Sequence, residues 1–427
     1  MMKESCLWYD TSAEPAITLS ELDAQIQTDV AIVGGGITGL STAIHLAEQG
    51  VSVSLIEAKQ IPHGGSGRNV GLVNAGLWIP PDDILSVLGS EQGERALQLL
   101  GRAPAEVFAL IDRYQIQCDD TRTGTLHLAH NKRGEQDLAR RFAQWHQRGA
   151  PVEMLADVHC YEAVGTEQIR RALLDRRAGT VNPTGYTRGL ARAAVSLGVQ
   201  MFTQTPALSV KQVDGSWVVN TPKGRIKATK LVMATNAYTD DEWNLIKPHF
   251  FPGYYFQVAS APLSAQHASS ILPDRQGAWD TRLVLSSIRM DAQGRLILGS
   301  LGQGEGRPRA YLRSWANRIQ KHYFPQLGDV EWSCTWSGRI AFTPDHLLRI
   351  SELAPGLLSA TGYNGRGITT GTVVGKGFAH YIVHNDDALL PLPLRQYAPI
   401  GSRTLRSFGY EAGFTLYHTG QCLKILV

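Results

Sequence analysis

The sequence predicts an α/β fold (α+β overall) with two domains, one of them of Rossmann type. The first observation is a strand, glycine turn and helix pattern, VAIVGGGITGLSTAIHL, at residues 30–46. The second is a similar pattern near the other end, ATGYNGRGITTGTVVG, at residues 360–375. The third is the length of 427 residues, which is too great for one small core. Two helix N-termini of the same kind therefore need a common explanation.

The composition excludes several classes of protein. A net charge of +3 without a basic tract argues against nucleic-acid binding. The chain opens without a signal-peptide pattern, and no apolar run approaches the ~20 residues that span a bilayer. Five scattered cysteines without a CxxC pair predict neither a disulfide framework nor a zinc site. We expect no metal, no membrane span and a cytoplasmic location; nothing here indicates an oligomeric state.

The first glycine turn has every part of a dinucleotide-binding unit. A β-branched strand, Val30–Val33, runs into G-x-G-x-x-G, an apolar helix follows up to Gly50, and a second strand ends at Glu57. The first glycine makes the turn, the second admits a pyrophosphate and the third lets the helix pack on the strand. The acid accepts hydrogen bonds from ribose hydroxyls. The expected cofactor contacts in this unit are Gly34, Gly36, Ile37, Thr38, Gly39, Glu57 and Ala58.

Two further segments favour FAD over NAD. A small-residue loop, GGSGRN, follows the acid at residues 64–69, where a nicotinamide enzyme would usually continue into a third short strand. Residues 223–239, KGRIKATKLVMATNAYT, form a short polar strand and then an apolar strand ending in a small-residue motif. The expected cofactor contacts in these segments are Ser66, Gly67, Arg68, Asn69, Thr235 and Asn236.

With these motifs, the chain resembles the D-amino-acid-oxidase-like FAD oxidoreductases over nearly its whole length. The resemblance rests on the shared order of VAIVGGGITGLSTAIHLAEQG, GGSGRNVGLVN, RYQIQCD, KLVMATNAYT, RMDAQGRLILGS, WSGRIAFTPDHL and GYNGRGITTG. Within the family, SGRN, RYQIQCD and GSRTLR are most similar to the γ-glutamylputrescine oxidase group, with L-pipecolate oxidases next. The resemblance implies a Rossmann-type FAD-binding domain and an antiparallel-sheet substrate domain, as in glycine and sarcosine oxidases.

The resemblance also explains the second glycine turn. It implies that this turn reaches the isoalloxazine ring while the first turn holds the pyrophosphate. A helix N-terminus aimed at the ring would stabilise the negative charge of the reduced flavin. The cofactor residues implied here are Gly362, Tyr363, Asn364, Gly365, Arg366, Gly367 and Ile368.

The substrate domain should contain strands at residues 254–261, 282–290 and 295–300, the last two joined by the turn at Asp291–Gly294. Alternation places Tyr255 and Gln257 on one face and Tyr254 and Phe256 on the other, without showing which face lines the pocket. Tyr254 is taken as a candidate catalytic residue, with core packing as the alternative.

Arginine candidates for binding a substrate carboxylate are Arg339, Arg366, Arg68 and Arg289. Arg339 and Arg366 join Tyr254 as the candidate catalytic set. Arg339 lies one position before the arginine of the glycine-oxidase pattern, and Arg289 has pairing with an acid in the sheet as its alternative. Thr369 stands where sarcosine oxidases carry a lysine.

Three histidines and one cysteine also need an interpretation. His63, His127 and His249 have no partner at a diagnostic spacing and are interpreted as structural. Cys334 precedes an aromatic residue by two positions, as does the flavin-linked cysteine of sarcosine oxidases. A buried free thiol is the alternative, and we expect non-covalent FAD.

The expected domains are discontinuous. The FAD-binding domain comprises residues 28–84, 150–242 and 336–390, and the substrate domain residues 85–149 and 243–335, with 85–150 mainly helical. Residues 391–427 form a proline-rich surface tail. From the resemblance we expect an FAD-dependent oxidase of a secondary amine or an amino or imino acid, with γ-glutamylputrescine as the preferred substrate and L-pipecolate as an alternative. A hydride would pass from the carbon next to nitrogen to flavin N5, the imine would be hydrolysed, and O2 would be reduced to H2O2. The alternatives are a dehydrogenase with a quinone or protein acceptor, and a non-catalytic flavin-binding subunit.

Overall fold

The computed structural model describes residues 2–240 and 243–422 as two large sheets with helices packed on them. The strands are β1 Lys3–Glu4, β2 Gln25–Val33, β3 Val53–Ile56, β4 Leu72–Val73, β5 Thr125–Leu128, β6 Val152–Ala156, β7 Arg171–Asp175, β8 Gly179–Thr180, β9 Gln200–Phe202, β10 Ser209–Val213, β11 Ser216–Asn220, β12 Arg225–Met233, β13 Phe251–Ser260, β14 Gly277–Asp280, β15 Ser286–Met290, β16 Leu296–Leu301, β17 Trp332–Phe342, β18 Arg349–Ala354 and β19 Leu357–Thr361. The helices are α1 Leu7–Thr11, α2 Ile37–Ala47, α3 Gly65–Arg68, α4 Pro81–Leu88, α5 Ser90–Gly101, α6 Ala103–Tyr114, α7 Lys132–Gln147, α8 Asp157–Val164, α9 Pro183–Ser196, α10 Ala265–Ser269, α11 Arg309–Tyr323, α12 Gly367–His384 and α13 Arg403–Cys422.

The first sheet has the parallel core that the glycine motifs predict. Strands β9, β3, β2, β12 and β19 run parallel in that order, and β18 adds an antiparallel edge. Along β2, Val30 and Ile32 pack under the helices, whereas Ala31 and Val33 belong to the core on the other face. The sheet is therefore buried on both faces, as a doubly wound arrangement requires.

Strand β12 is longer than the sequence suggested. The polar segment and the apolar segment, expected as two strands, form one strand, Arg225–Met233. Its first half alternates between exposed and buried residues and pairs with the hairpin strand β11; its last three residues are buried and pair with β19. One strand thus serves both a half-exposed antiparallel layer and the parallel core.

The second sheet has nine strands in the order β1-β17-β13-β16-β15-β14-β5-β7-β6. The three expected strands are present as β13, β15 and β16, and the turn between the last two includes Gly294 at φ +73°. Strand β13 buries Phe256 and Val258 in a core with helix α11. The opposite face of the sheet looks towards the first sheet.

Three expectations about organisation need adjustment. Strands β6 and β7 lie in the nine-stranded sheet, although residues 150–242 were assigned to the FAD-binding part. Strand β17 also belongs to that sheet, whereas the sequence predicts that residues 336–390 belong to the FAD-binding domain. The division into domains therefore stays a proposal. The described part of the tail includes helix α13, whose Phe414 is buried, so it is more than a proline-rich surface segment.

Helices α2 and α12 pack against each other along their first turns. Ser41 Oγ donates a hydrogen bond to the Thr372 carbonyl over 2.8 Å. A Cβ at Gly375 would lie 2.5 Å from Ser41 Cβ, and one at Gly371 would lie 2.9 Å from Thr38 Oγ1. Glycine at both positions therefore allows the two helices this close approach.

Gly375→Ala tests that contact. We expect the free energy of unfolding to fall by about 1–3 kcal/mol, because the new methyl group meets backbone and side-chain atoms that cannot move apart freely. The measurement is urea denaturation of the purified protein. The control is Gly413→Ala in helix α13, where a Cβ meets nothing within 4 Å and alanine should be neutral or stabilising. Equal effects of the two changes would contradict the account.

Candidate active site

A cavity of about 700 Å³ lies between the two sheets. Both glycine turns, the loop before β4 and the segment after β12 contribute to its wall, together with the cavity face of the nine-stranded sheet. The predicted site residues that line it are Gly34, Gly36, Ile37, Thr38, Glu57, Ala58, Ser66, Arg68, Asn69, Thr235, Asn236, Arg339, Tyr363, Asn364, Gly365, Arg366, Gly367 and Ile368. The structure thus brings together segments separated by more than three hundred residues of sequence.

Three predicted glycines do not line the cavity but shape its wall. A Cβ at Gly39 would lie 2.1 Å from the Gly34 carbonyl oxygen, so this position lets helix α2 start immediately behind the turn. A Cβ at Gly67 would lie 2.5 Å from Pro62 Cγ. Gly362, at φ +76°, is closed off by Thr343. These glycines permit close backbone packing, and a direct contact with the cofactor remains a prediction for each.

The first glycine turn and the loop after β3 together form an anion-binding corner. The Ile37 N–H, in the first turn of α2, donates to Ser66 Oγ over 3.1 Å. A Cβ at Gly36 would lie 2.8 Å from the same oxygen, so a larger residue would fill the corner. The positive end of the helix, an adjacent hydroxyl and the absence of a side chain at Gly36 all fit a pyrophosphate.

Glu57 supplies an acceptor at the end of β3. Its Oε2 accepts a hydrogen bond from the Gly35 N–H and its Oε1 accepts one from the Lys59 N–H, both at 2.9 Å. Burial raises the pKa of Glu57, and the backbone hydrogen bonds oppose that effect. A carboxylate has about four acceptor positions, so this side chain can still accept from ribose hydroxyls.

The segment after β12 is tied to the second glycine turn. Asn236 Oδ1 accepts hydrogen bonds from Thr361 Oγ1 at 2.9 Å and from the Gly362 N–H at 3.2 Å. The hydroxyls of Thr38 and Tyr363 lie 2.9 Å apart, which links the second turn to helix α2. The two turns are therefore one connected structure around the cavity.

Arg366 is a buried cation between two aromatic rings. Its guanidinium carbon lies 4.8 Å from the ring centre of Trp78 and 5.1 Å from that of Trp279. One NH group contacts the Ala75 carbonyl at 3.5 Å, and Nε has no hydrogen-bond partner among the described residues. Burial, aided by Arg141, lowers the pKa of Arg366 to about 9. The side chain thus carries an unused donor at the start of helix α12.

Sequence reasoning missed the aromatic wall around Arg366. Trp78 lies between β4 and α4, Trp279 lies on β14, and His127 on β5 stacks on Trp279 with ring centres 5.0 Å apart. Burial lowers the pKa of His127 well below its usual value, so this ring is neutral. His127 is therefore more than a structural residue of the core, because its ring stacks on Trp279, which lines the cavity. No local pattern marks these residues, since only the sheet brings their segments together.

The structure corrects the choice of tyrosine on β13. Tyr255 lines the cavity, and its hydroxyl donates to Ser287 Oγ over 2.7 Å. Tyr254 lies on the opposite face with Phe256, which packs against Trp315 of helix α11. The strand's alternation therefore turns Tyr254 away from the cavity, and a catalytic contact is better sought at Tyr255.

The other predicted arginines lie at different depths. Arg339 is exposed at the cavity mouth, with its guanidinium carbon 5.8 Å from the Tyr238 ring centre. Arg68 donates to the carbonyls of His63 and Ser337. Arg289 is buried and donates to the carbonyls of Val70 and Val181, so it binds backbone rather than an acid in the sheet. Arg366 is the best-placed of these arginines for a ligand inside the cavity.

Thr369 and Cys334 lie behind the cavity wall. Thr369 is buried in helix α12. Cys334 is packed with Trp8 and Trp336 and does not line the cavity. Burial raises the pKa of the Cys334 thiol, which disfavours the reactive thiolate. This placement is that of a structural cysteine.

Neither a metal-binding cluster nor a membrane-spanning helix is found among the described residues. No group of three or more His, Cys, Asp or Glu side chains in residues 2–240 and 243–422 could hold a metal ion. In the same part of the chain, no helix combines the length and the apolar character that crossing a bilayer takes.

Arg366→Met tests whether the buried cation serves a ligand rather than the fold. Since Arg366 has no ion-pair partner among the described residues, Arg366→Met should leave the free energy of unfolding unchanged or raise it. The control is Arg282→Met, which strips the buried Asp280 of a partner at 2.8 Å and should cost about 3 kcal/mol. Urea denaturation measures both. A loss at Arg366 as large as at Arg282 would assign it a structural role.

The low pKa of Arg366 predicts a pH effect of definite sign. Between the folded-state pKa of about 9 and the higher pKa of an exposed arginine in the unfolded chain, only the unfolded state keeps the proton. Raising the pH through 9 therefore removes the cost of the buried charge. From pH 7.5 to 10, wild type should gain about 1 kcal/mol of stability relative to Arg366→Met. A pH-independent difference between the two proteins would refute this.

Comparison with known proteins agrees with this geometry. Residues 29–381 match the model of the DAO family, described as FAD dependent oxidoreductase. The chain is 29% identical to the γ-glutamylputrescine oxidoreductase of Escherichia coli over 420 residues, which cover 95% of this chain and 96% of that protein. It is 28% identical to "Probable oxidoreductase OrdL" of Haemophilus influenzae over 396 residues, 91% of each chain.

The solved structures agree on the fold. Glycine oxidase from Geobacillus kaustophilus superimposes with a TM-score of 0.72 and 23% identity, over 87% of this chain and all of that one. The α/β fold class and the family resemblance predicted from the sequence are both confirmed. With two glycine turns around one cavity and a family match over most of its length, the chain belongs to the DAO family of FAD-dependent oxidoreductases, which act on amines or amino acids.

Proposed function

We propose that the chain is an oxidase of CH–NH or CH–NH2 donors with γ-glutamylputrescine as its preferred substrate. The substrate would lose a hydride from the carbon next to nitrogen and a proton from nitrogen, and the resulting imine would be hydrolysed. O2 would take up the two electrons and two protons as H2O2. The observation that carries the proposal is the near-complete coverage of γ-glutamylputrescine oxidoreductase, together with a buried cation in the cavity.

Bound FAD supplies the two-electron acceptor. The residues of the chain hold it and orient the substrate. The corner at Gly36 and Ser66 would receive the pyrophosphate and Glu57 the ribose, whereas the start of helix α12 would face the flavin ring. Because Cys334 lies outside the cavity wall, we propose that the flavin is bound without a covalent link.

Arg366 and Tyr255 would orient the substrate. The Arg366 guanidinium lies between aromatic rings, and its Nε has no hydrogen-bond partner among the described residues. It would therefore bind an anion strongly: either a substrate carboxylate or the negative edge of the reduced flavin. Burial raises the pKa of Tyr255 far above neutrality, so its hydroxyl stays protonated. It could then accept a hydrogen bond from the substrate amine while donating to Ser287.

Three other functions are alternatives to this proposal. An L-pipecolate oxidase would use the same cavity, with the carboxylate close to the reacting carbon and Arg366 as its anchor. A dehydrogenase would pass the electrons to a quinone or a protein instead of O2. A non-catalytic flavin-binding subunit would need no enclosed substrate space beside the flavin, and the aromatic wall around Arg366 argues against it. We also propose a cytoplasmic location.

The test is anaerobic reduction of the purified protein's flavin by γ-glutamylputrescine and by L-pipecolate, added separately. We expect γ-glutamylputrescine to bleach the flavin absorbance fast. Putrescine is the control, since it has the same reacting amine without the γ-glutamyl group and its carboxylate. Oxygen consumption under air would then distinguish an oxidase from a dehydrogenase.

Each other outcome points elsewhere. Bleaching by L-pipecolate alone would replace the proposed substrate, with Arg366 and Arg339 the first residues to substitute. A flavin that dithionite reduces but neither amine does would favour the non-catalytic subunit. Equal rates with putrescine and γ-glutamylputrescine would show that the glutamyl carboxylate does not contribute to substrate recognition.

A further inference from the structure

The first residues of the chain lie outside the part that matches the family and nevertheless contact the cofactor loop. The family match begins at residue 29. Before it, residues 3–11 form a strap made of β1 and α1. Strand β1 pairs in parallel with β17, placing Lys3 opposite Cys334, and the Ser5 N–H donates to the Thr335 carbonyl at 3.1 Å. The strap thus supplies the edge strand of the nine-stranded sheet and one helical turn.

Trp8 anchors the strap. Its side chain is only 1% exposed, it meets Trp336 edge to face at 5.8 Å between ring centres, and the Arg289 guanidinium carbon lies 4.7 Å from its ring centre. Its indole Nε1–H donates to the Asn69 carbonyl over 2.9 Å. This hydrogen bond joins the strap to a loop of the cavity wall.

Two neighbours of Trp8 contact the same loop. The Tyr9 hydroxyl donates to the His63 carbonyl over 3.2 Å, and Cys6 Sγ lies 3.7 Å from the Gly67 carbonyl. Three strap residues therefore bind three carbonyls within residues 63–69, which we call the cofactor loop. None of the three strap residues lines the cavity, so the strap contacts the loop from outside the cavity wall.

The other side of the cofactor loop forms part of the cavity wall. Ser66 Oγ accepts from the Ile37 N–H at the start of α2, and Arg68 and Asn69 line the cavity. The Asn69 side chain fastens the loop by donating to the Gly65 and Ser66 carbonyls. A shift of the Asn69 carbonyl would therefore move the Ser66 hydroxyl relative to the pyrophosphate corner.

We propose that the strap is a positioning element for FAD, and that the Trp8 indole N–H is its main connection to the cofactor loop. It acts on the cofactor through the loop and touches neither cofactor nor substrate. The proposal depends on the FAD of the family and not on which amine is oxidised.

The test compares Trp8→Phe with Trp332→Phe. Both changes keep a buried aromatic ring and remove one indole hydrogen bond, that of Trp332 being to Asn317 Oδ1 at 2.6 Å in the core away from the cavity. Serial dilution of the FAD-loaded proteins, followed by the fluorescence of released FAD, measures the dissociation constant. We expect it to rise about fivefold for Trp8→Phe, the effect of one lost hydrogen bond, and to stay at the wild-type value for Trp332→Phe.

A second readout separates positioning from stability. At saturating FAD, kcat of Trp8→Phe should stay within about twofold of wild type, because the loop is restored when the cofactor is bound. An unchanged dissociation constant for Trp8→Phe, or an equal rise for both variants, would overturn the proposal. Tyr9→Phe removes the hydroxyl that contacts the His63 carbonyl and Arg68 of the same loop. It provides the same test if Trp8→Phe does not fold: it should weaken FAD binding in the same direction, and wild-type affinity would count against the strap.

Discussion

The close contact between helices α2 and α12 is the constraint on which the site depends. Each helix follows a glycine turn, and the chain between them contains most of the protein. Gly371 and Gly375 leave room for Thr38 and Ser41, and the Ser41 hydroxyl bonds the Thr372 carbonyl. Because both helices start at the same edge of the parallel sheet, their positive ends open into one cavity. A long cofactor with negative charge at two places fits that arrangement.

The buried arginines of the cavity wall differ in their partners. Two buried arginines line the cavity, and among the described residues only one of them pairs with an acid: Arg282 pairs with Asp280 at 2.8 Å, whereas Arg366 contacts aromatic rings. A buried charge without a partner is costly to the fold. In the proposed function, a ligand supplies the missing negative charge.

The sequence predicts the parts of the site that are local and leaves open those that depend on the sheet. Both glycine turns, the loop at Ser66 and the acid at Glu57 follow from short patterns with a mechanical reason. The two faces of β13 also follow from alternation, but the face that meets the cavity depends on the docking of α11, so the sequence alone does not distinguish Tyr254 from Tyr255. Trp78, Trp279 and His127 come from three distant segments, and no spacing marks them. The strands β6 and β7 joined the second sheet by long-range pairing, which local propensity does not encode.

The central claim is that one FAD molecule is held at both glycine turns. A crystal structure of the yellow, FAD-loaded protein tests it most directly. The account predicts the pyrophosphate against Gly36 and the Ile37 N–H, and the isoalloxazine ring at the start of helix α12, within reach of Arg366 and Tyr255. A flavin whose ring lies away from residues 362–368 would contradict it, even if the pyrophosphate were in place.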